Sequence, residues 1–145
     1  MRRVIVSLLA ATGSVLSLAS AQSKPVSADE RAVQTVVEHY LHGLKFNDVA
    51  SLKLAFWPDA KLYFVAKGGG LGQLSQEDWY KGFTASAGKE EEGDLRIAAL
   101  EVTGDIASVR VVEEYPRSRY IDYLSLVRFD GAWRIVNKVY TSEKK

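Results

Sequence analysis

Apolar residues recur at helical spacing in the first half of the chain. The positions that form this stripe are Val33, Val36, Val37, Tyr40, Leu41 and Leu44. A repeat of three to four residues predicts an amphipathic helix that buries one face. Ser27 followed by Glu30 has the form of a capping box, which predicts where this helix begins. We expect the helix to end near Lys45 and a second, short helix to run from a cap at Asn47 to Phe56, before Pro58 stops it.

The second half of the chain is β-branched and aromatic, with alternating apolar and polar positions. Lys61–Ala66 is strand-like, Ser75 caps a third helix that carries Trp79 and Phe83, and Gly68–Gly70 predicts a mobile loop at the mouth of a cavity. Four longer strands are predicted at Leu95–Thr103, Ile106–Tyr115, Arg119–Phe129 and Trp133–Thr141. Three helices followed by an antiparallel meander indicate an α+β fold, with a curved sheet around the first helix.

The first residues have the features of an export signal. Met1-Arg2-Arg3 is basic, Val4–Ala19 is mostly apolar, and Ala19-Ser20-Ala21 is a small-x-small cleavage site. We therefore predict a cleaved signal peptide over residues 1–21, a linker over 22–27 and a single domain over 28–145. No second apolar run follows, so we expect a secreted or periplasmic protein with no membrane anchor after cleavage.

Composition removes several classes of function. The chain has no cysteine, which excludes disulfides, thiol nucleophiles and thiolate metal sites. Loss of Arg2 and Arg3 with the signal leaves 17 basic and 18 acidic residues, a net charge of −1. That balance argues against a nucleic-acid partner, which needs a basic face. The histidine and carboxylate spacing predicts no metal site, and no motif predicts a cofactor.

Four sequence segments resemble the nuclear transport factor 2-like superfamily. They are Tyr40–Leu44, Asn47-Asp48, Leu54–Ala60 and Arg128–Ile135, the last with the pattern F-D-G-x-W-R-I. The likeness covers Asp29–Tyr140 and is greatest to the "putative lumazine-binding" and SnoaL-like branches. The resemblance implies a cone-shaped α+β barrel, a mostly antiparallel sheet with an apolar cavity against the helices, and dimers through the outer sheet face.

Ketosteroid isomerases are enzymes of this superfamily, and the resemblance implies where their three catalytic groups would fall. The helix tyrosine falls on Tyr40, the base falls on Phe64 and the late-strand acid falls on Ser125. A phenylalanine cannot abstract a proton, so Tyr40 is the one group of the three that is retained. This argues against isomerase chemistry in that geometry.

Alternation along the late strands supplies the candidate cavity residues. Glu113 and Tyr115 end an apolar strand face, Tyr123 and Ser125 lie on another, and Asn137 lies on a third. With Tyr40 and the aromatic residues they form the predicted ligand pocket, namely Tyr40, Trp57, Phe64, Trp79, Phe83, Glu113, Tyr115, Tyr123, Ser125 and Asn137. A β-bulge would reverse the side on which these strand residues lie.

Three functions remain open from the sequence. The first is a non-catalytic protein that binds a small, partly aromatic organic ligand. The second is a hydrolase, dehydratase or cyclase that uses Glu113 as acid or base, assisted by Tyr40 and Asn137. The third is a purely structural or partner-binding protein. We predict a homodimer through an outer sheet face that carries Tyr120, Asp122, Leu124 and Leu126.

Overall fold

The computed structural model of the chain describes residues 25–145, and the predicted signal peptide lies outside them. The helices are α1 Ala28–Lys45, α2 Val49–Ala55 and α3 Gln76–Lys81, the last followed by a 3-10 turn at Thr84–Ser86. The strands are β1 Phe56–Val65, β2 Leu71–Ser75, β3 Asp94–Thr103, β4 Ile106–Tyr115, β5 Ser118–Phe129 and β6 Ala132–Lys144. Within the described residues, none of the helices is long and apolar enough to cross a membrane.

The N-termini of the helices have side-chain caps. The Ser27 hydroxyl accepts from the Glu30 amide at 3.0 Å, and the Ser27 amide donates to the Glu30 carboxylate, so the predicted capping box is confirmed. Ser75 caps α3 as predicted. The predicted cap at Asn47 is wrong, because Asp48 caps α2 and Asn47 adopts a left-handed conformation with φ 51°.

Six strands form one sheet in the order β2-β1-β6-β5-β4-β3. β1 and β6 run parallel and the other neighbours are antiparallel, which confirms the predicted mostly antiparallel α+β fold. The mobile loop predicted at Gly68–Gly70 is instead the turn of the β1–β2 hairpin, closed by the Ala66 amide on the Gly70 carbonyl at 2.8 Å. Gly68 and Gly69 supply the positive φ angles that this turn needs.

The core lies between α1 and the inner face of the sheet. Val33, Val37 and Tyr40 of α1 are fully buried against apolar side chains of β4, β5 and β6. Leu124 and Leu126 belong to this core, with 1% exposure each, so the predicted outer face containing them is wrong. Homodimer formation itself stays a prediction, and it needs a different surface.

Candidate functional site

An open cavity lies beside the C-terminal end of α1, below α3 and over β4, β5 and β6. Its volume is about 370 Å³. Five aromatic rings line it, those of Trp79, Phe83, Tyr115, Tyr120 and Tyr140. Leu44 and the polar residues Asn47, Glu91, Glu113, Ser118 and Lys138 complete the lining. The cavity therefore combines flat apolar surfaces with a small number of polar groups, which is typical of small-molecule sites.

Four polar side chains meet at the floor of this cavity, and we call them the Tyr40 cluster: Tyr40, Glu113, Asp122 and Lys138. All four are buried, with Tyr40 and Asp122 fully inaccessible. Lys138 Nζ donates to the Tyr40 hydroxyl at 2.6 Å and forms an ion pair with Asp122 Oδ2 at 2.8 Å. The Tyr40 hydroxyl donates to Asp122 and lies 3.1 Å from Glu113 Oε1.

The protons in the Tyr40 cluster can be counted from these contacts. A phenol has one hydroxyl proton, and Tyr40 uses it in a hydrogen bond to Asp122, the nearer of the two carboxyl groups. The contact between Tyr40 and Glu113 then needs a proton from the glutamic acid. With Glu113 and Tyr40 protonated, the negative charge of Asp122 and the positive charge of Lys138 cancel, so the cluster has no net charge.

Burial is the main reason that the pKa of Glu113 is raised, from its ordinary 4.5 to about 8. The negative charge of Asp122 raises this pKa further, while the Lys138 ammonium opposes the rise. Burial, followed by the charge of Asp122, also holds the pKa of the Tyr40 phenol well above its usual range. Glu113 and Tyr40 are therefore both protonated at neutral pH, in agreement with the proton count.

Aromatic rings surround the Lys138 ammonium. Its Nζ lies 4.8 Å from the ring centre of Tyr140, 5.1 Å from that of Tyr40 and 5.4 Å from that of Trp79. Ring faces attract a cation that has lost part of its hydration. A positive charge at this position is thus stabilised by Asp122, by the Tyr40 hydroxyl and by the rings of Tyr140 and Trp79.

The β4–β5 turn places Asp122 in the cluster. Tyr115 pairs with Ser118 across Pro116-Arg117, so Val111 pairs with Asp122. Directly paired residues in an antiparallel ladder lie on the same face of the sheet. Since Val111 is fully buried, Asp122 must point into the core beside it.

A bulge in β6 brings Lys138 to the same face. Leu126 pairs with Ile135 but Ser125 pairs with Asn137, which leaves Val136 as an extra residue. This extra residue reverses the alternation. Lys138 therefore pairs with buried Leu124 and points inward.

The structure brings one part of the predicted pocket together. Trp79, Phe83, Glu113 and Tyr115 line the cavity, and Tyr40 lies under its floor. The Tyr115 hydroxyl donates to Glu113 Oε2 at 3.2 Å, which links the cavity wall to the cluster.

The other predicted residues lie elsewhere. Trp57 is 39% exposed and packs on Phe129, while the Phe64 ring stacks against Tyr140 behind the cavity wall. Tyr123 is 54% exposed on the outer sheet face, and Ser125 and Asn137 share that face because they pair with each other.

Tyr40 has two carboxylic partners in the structure. The resemblance to ketosteroid isomerases placed the acid at Ser125, which has no contact with Tyr40, whereas Tyr40 contacts both Glu113 and Asp122. Asn137 cannot assist Glu113, because the bulge directs it away from the cavity.

Sequence reasoning missed Lys138 and Tyr140, and it wrongly placed Tyr120 and Asp122 on the outer face. The Pro116-Arg117 turn was a usable signal for Asp122 and Tyr120, because a two-residue loop fixes the register of the pairs that follow. No local signal marked the bulge that reorients Lys138. Asn47 was predicted only as a cap, but its amide donates to Lys89 O and Glu91 Oε1, both at 2.9 Å, at the cavity rim.

The chain is similar in sequence to a curated protein and similar in fold to solved structures. Among curated proteins, the chain is 27% identical over 120 residues to Aldolase FrzH of Cladobotryum sp, covering 80% of this chain and 93% of that protein. An NTF2-like protein of unknown function from Shewanella baltica OS155 superposes with a TM-score of 0.75 at 21% identity, covering 85% of this chain and all of that one. An NTF-2 like protein of unknown function from Silicibacter pomeroyi DSS-3 gives a TM-score of 0.68 at 27% identity, over 78% of this chain and 94% of that one.

The family assignment comes from the match to a whole-domain family model. The family described as "Putative lumazine-binding" matches residues 28–141, which is most of the chain and nearly all of its described part. That span includes β1 to β5, β6 as far as Thr141, and all four members of the Tyr40 cluster. The chain therefore belongs to the "Putative lumazine-binding" family and has the nuclear transport factor 2-like fold.

Proposed function

We propose that this protein binds a small organic molecule that has a flat apolar part and a carbonyl or similar acceptor group. The observation that supports this most directly is the Tyr40 cluster at the floor of a cavity with five aromatic rings in its walls. Membership of the "Putative lumazine-binding" family is consistent with small-ligand binding.

The cavity suits such a ligand in size and in hydrogen bonding. Ligand cavities span about 300–1,000 Å³, and this one is near the lower end of that range at about 370 Å³. An ammonium has three donors, and Tyr40 and Asp122 occupy two of those of Lys138. Its third N–H is available to an acceptor on the ligand, because Glu113 Oε1 is 3.9 Å away, beyond hydrogen-bonding distance.

Thermal unfolding in the presence of aromatic carbonyl compounds tests the proposal. A ligand that binds only the native state, at about 100 times its Kd, should stabilise the protein by about 2.7 kcal/mol. Tyr120→Ala removes one cavity ring, and Tyr123→Ala is its matched control on the outer face of the same strand. We expect the melting temperature of the wild type and of the control to rise with ligand, and that of Tyr120→Ala to rise less. Equal shifts in all three proteins, or none with any compound, would contradict the proposal.

A second candidate function is catalysis on a carbonyl compound. It is favoured by a protonated carboxyl group, an ionised carboxylate and a lysine within one buried cluster, and by the aldolase named among the relatives. Glu113 would be the acid that protonates a developing alkoxide or enolate, with Tyr40 beside it. Incubation with the aldol adduct of benzaldehyde and acetone tests this by the release of benzaldehyde. Release that persists unchanged in Glu113→Gln would rule out the acid role of Glu113.

Export and self-association complete the proposal. We propose that the chain is secreted or periplasmic after removal of residues 1–21, and N-terminal sequencing of the protein recovered from cells tests the cleavage point. Sedimentation velocity tests the homodimer. A chain that begins at Met1 in the exported fraction would contradict the signal peptide.

A further inference from the structure

Lys138 has an unusual position for a lysine. Among the described residues that line the cavity, it is the one with an amine. Its side chain is only 5% exposed and yet lines the cavity, so Lys138 lies at the boundary between the core and the cavity. Most lysines keep their ammonium group in water, and a buried one requires an explanation.

The surroundings of Lys138 allow its ammonium to lose a proton without leaving an unbalanced charge. Asp122 Oδ2 lies 2.8 Å from Nζ and can accept a proton from it. The other carboxylate oxygen, Asp122 Oδ1, has no hydrogen-bond donor among the described residues, so it is also free to hold a proton. Transfer converts the buried ion pair into a neutral acid and a neutral amine, and so leaves no unpaired charge in the core. A neutral amine is a nucleophile.

We propose that Lys138 forms a Schiff base with the carbonyl carbon of the bound ligand. This inference rests on the proposed binding of a carbonyl compound in the same cavity and names the covalent step there. Lys138 Nζ gives one proton to Asp122 and attacks the carbonyl carbon, and a C–N bond forms as the C=O π bond breaks. The oxygen takes a proton from the Glu113 carboxyl group, and the nitrogen returns one to the Glu113 carboxylate, giving a carbinolamine.

Loss of water completes the step. The proton held by Asp122 passes to the carbinolamine hydroxyl, the C–O bond breaks and water leaves. The product is a protonated imine, and Asp122 is again a carboxylate. Overall, one ammonium and one carbonyl give one iminium and one water, with no oxidant or reductant.

The site stabilises the product as well as the starting state. The iminium has the same charge as the ammonium, at the same nitrogen. Asp122 and the rings of Tyr140 and Trp79 therefore attract it in the same way. An ordinary structural ion pair would not need an opening to a ligand cavity, and Lys138 has one.

Reductive trapping tests the proposal with phenylacetaldehyde, an aldehyde that carries a phenyl ring. Cyanoborohydride reduces a Schiff base to a stable secondary amine, and peptide mass spectrometry locates it as the mass of the aldehyde less one oxygen. Lys53 is the internal control, because it is exposed on α2 with Nζ 5.8 Å from the Tyr80 ring centre. We expect Lys138 to be labelled about tenfold faster than Lys53, because the cavity holds the aldehyde next to the amine.

Lys138→Arg is the matched variant, because a guanidinium retains the charge and can donate to Tyr40 and Asp122 but is not a nucleophile. Labelling of Lys53 should be unchanged in it. The comparison of Lys138 with Lys53 is made within the wild type, so the test does not depend on whether this variant folds.

Phenethyl alcohol separates this inference from the proposed function, because it has the same ring but no carbonyl. The alcohol or the aldehyde could stabilise the wild type while Lys138 stays unlabelled or is labelled no faster than Lys53. That result would overturn the Schiff base and leave the proposed ligand binding standing. If neither compound stabilises the protein and Lys138 is not labelled, both the Schiff base and the proposed ligand binding are overturned. Selective label at Lys138, together with stabilisation by the alcohol, supports both.

Discussion

Replacing Glu113 with glutamine removes one ionisable group from the floor of the cavity and keeps the shape of the protonated side chain. A glutamine amide can donate to the Tyr40 oxygen and its carbonyl can accept from Tyr115, as the protonated acid does. The variant therefore isolates the free energy associated with the raised pKa of Glu113.

The size and sign of the effect follow from that pKa. The folded protein holds the Glu113 proton up to about pH 8, whereas the unfolded chain loses it near 4.5. Between these values the native state binds more protons, so the free energy of unfolding of the wild type falls as pH rises. Each pKa unit corresponds to about 1.4 kcal/mol, so the cost to the wild type is about 3 kcal/mol at pH 7 and close to zero below pH 4.5.

Urea unfolding of the wild type and Glu113→Gln, followed by tryptophan fluorescence between pH 5 and pH 8, measures this difference. Glu113→Gln should be the more stable protein at pH 7, with an advantage that grows across the range. Glu101→Gln, at an exposed position on β3, is the control for general effects of losing a carboxylate. A difference between wild type and Glu113→Gln that does not change with pH would refute the proton count in the Tyr40 cluster.

The same unfolding assay checks three further predictions. Tyr40→Phe removes the hydroxyl that accepts from Lys138 and donates to Asp122, and should lower the free energy of unfolding by about 1.5–3 kcal/mol because hydrogen bonds to charged groups are lost. Tyr123→Phe, on the outer face, is the control and should change it by less than about 0.5 kcal/mol. Equal costs in the two variants would contradict the burial of the cluster. Gly43→Ala places a methyl group 2.4 Å from Leu52 Cδ2 and should cost about 1–3 kcal/mol, so a neutral result would mean that α1 and α2 pack less closely. Ser27→Ala removes the capping box and should cost about 1 kcal/mol, and helix content retained at full stability would argue against the cap.

The sequence by itself determined the local elements of this protein. The stripe that contains Val33, Val37 and Tyr40 has helical period, and these residues are buried in α1 as that period requires. Ser27 and Ser75 cap helices because their hydroxyls reach the nearby amides of the first turn. Caps, turns and periodicity act over a few residues, so the sequence alone indicates them, although it misplaced the cap of α2 by one residue.

Tertiary structure decided which side chains meet. The contacts of the Tyr40 hydroxyl join residues 73 to 98 positions apart, and no local pattern specifies such a distance. Strand alternation has a period of two, so a single extra residue, Val136, was enough to bring Lys138 inward and turn Asn137 outward. The raised pKa of Glu113 depends on the same assembly, because burial is its main cause and burial exists only after the sheet has closed over α1.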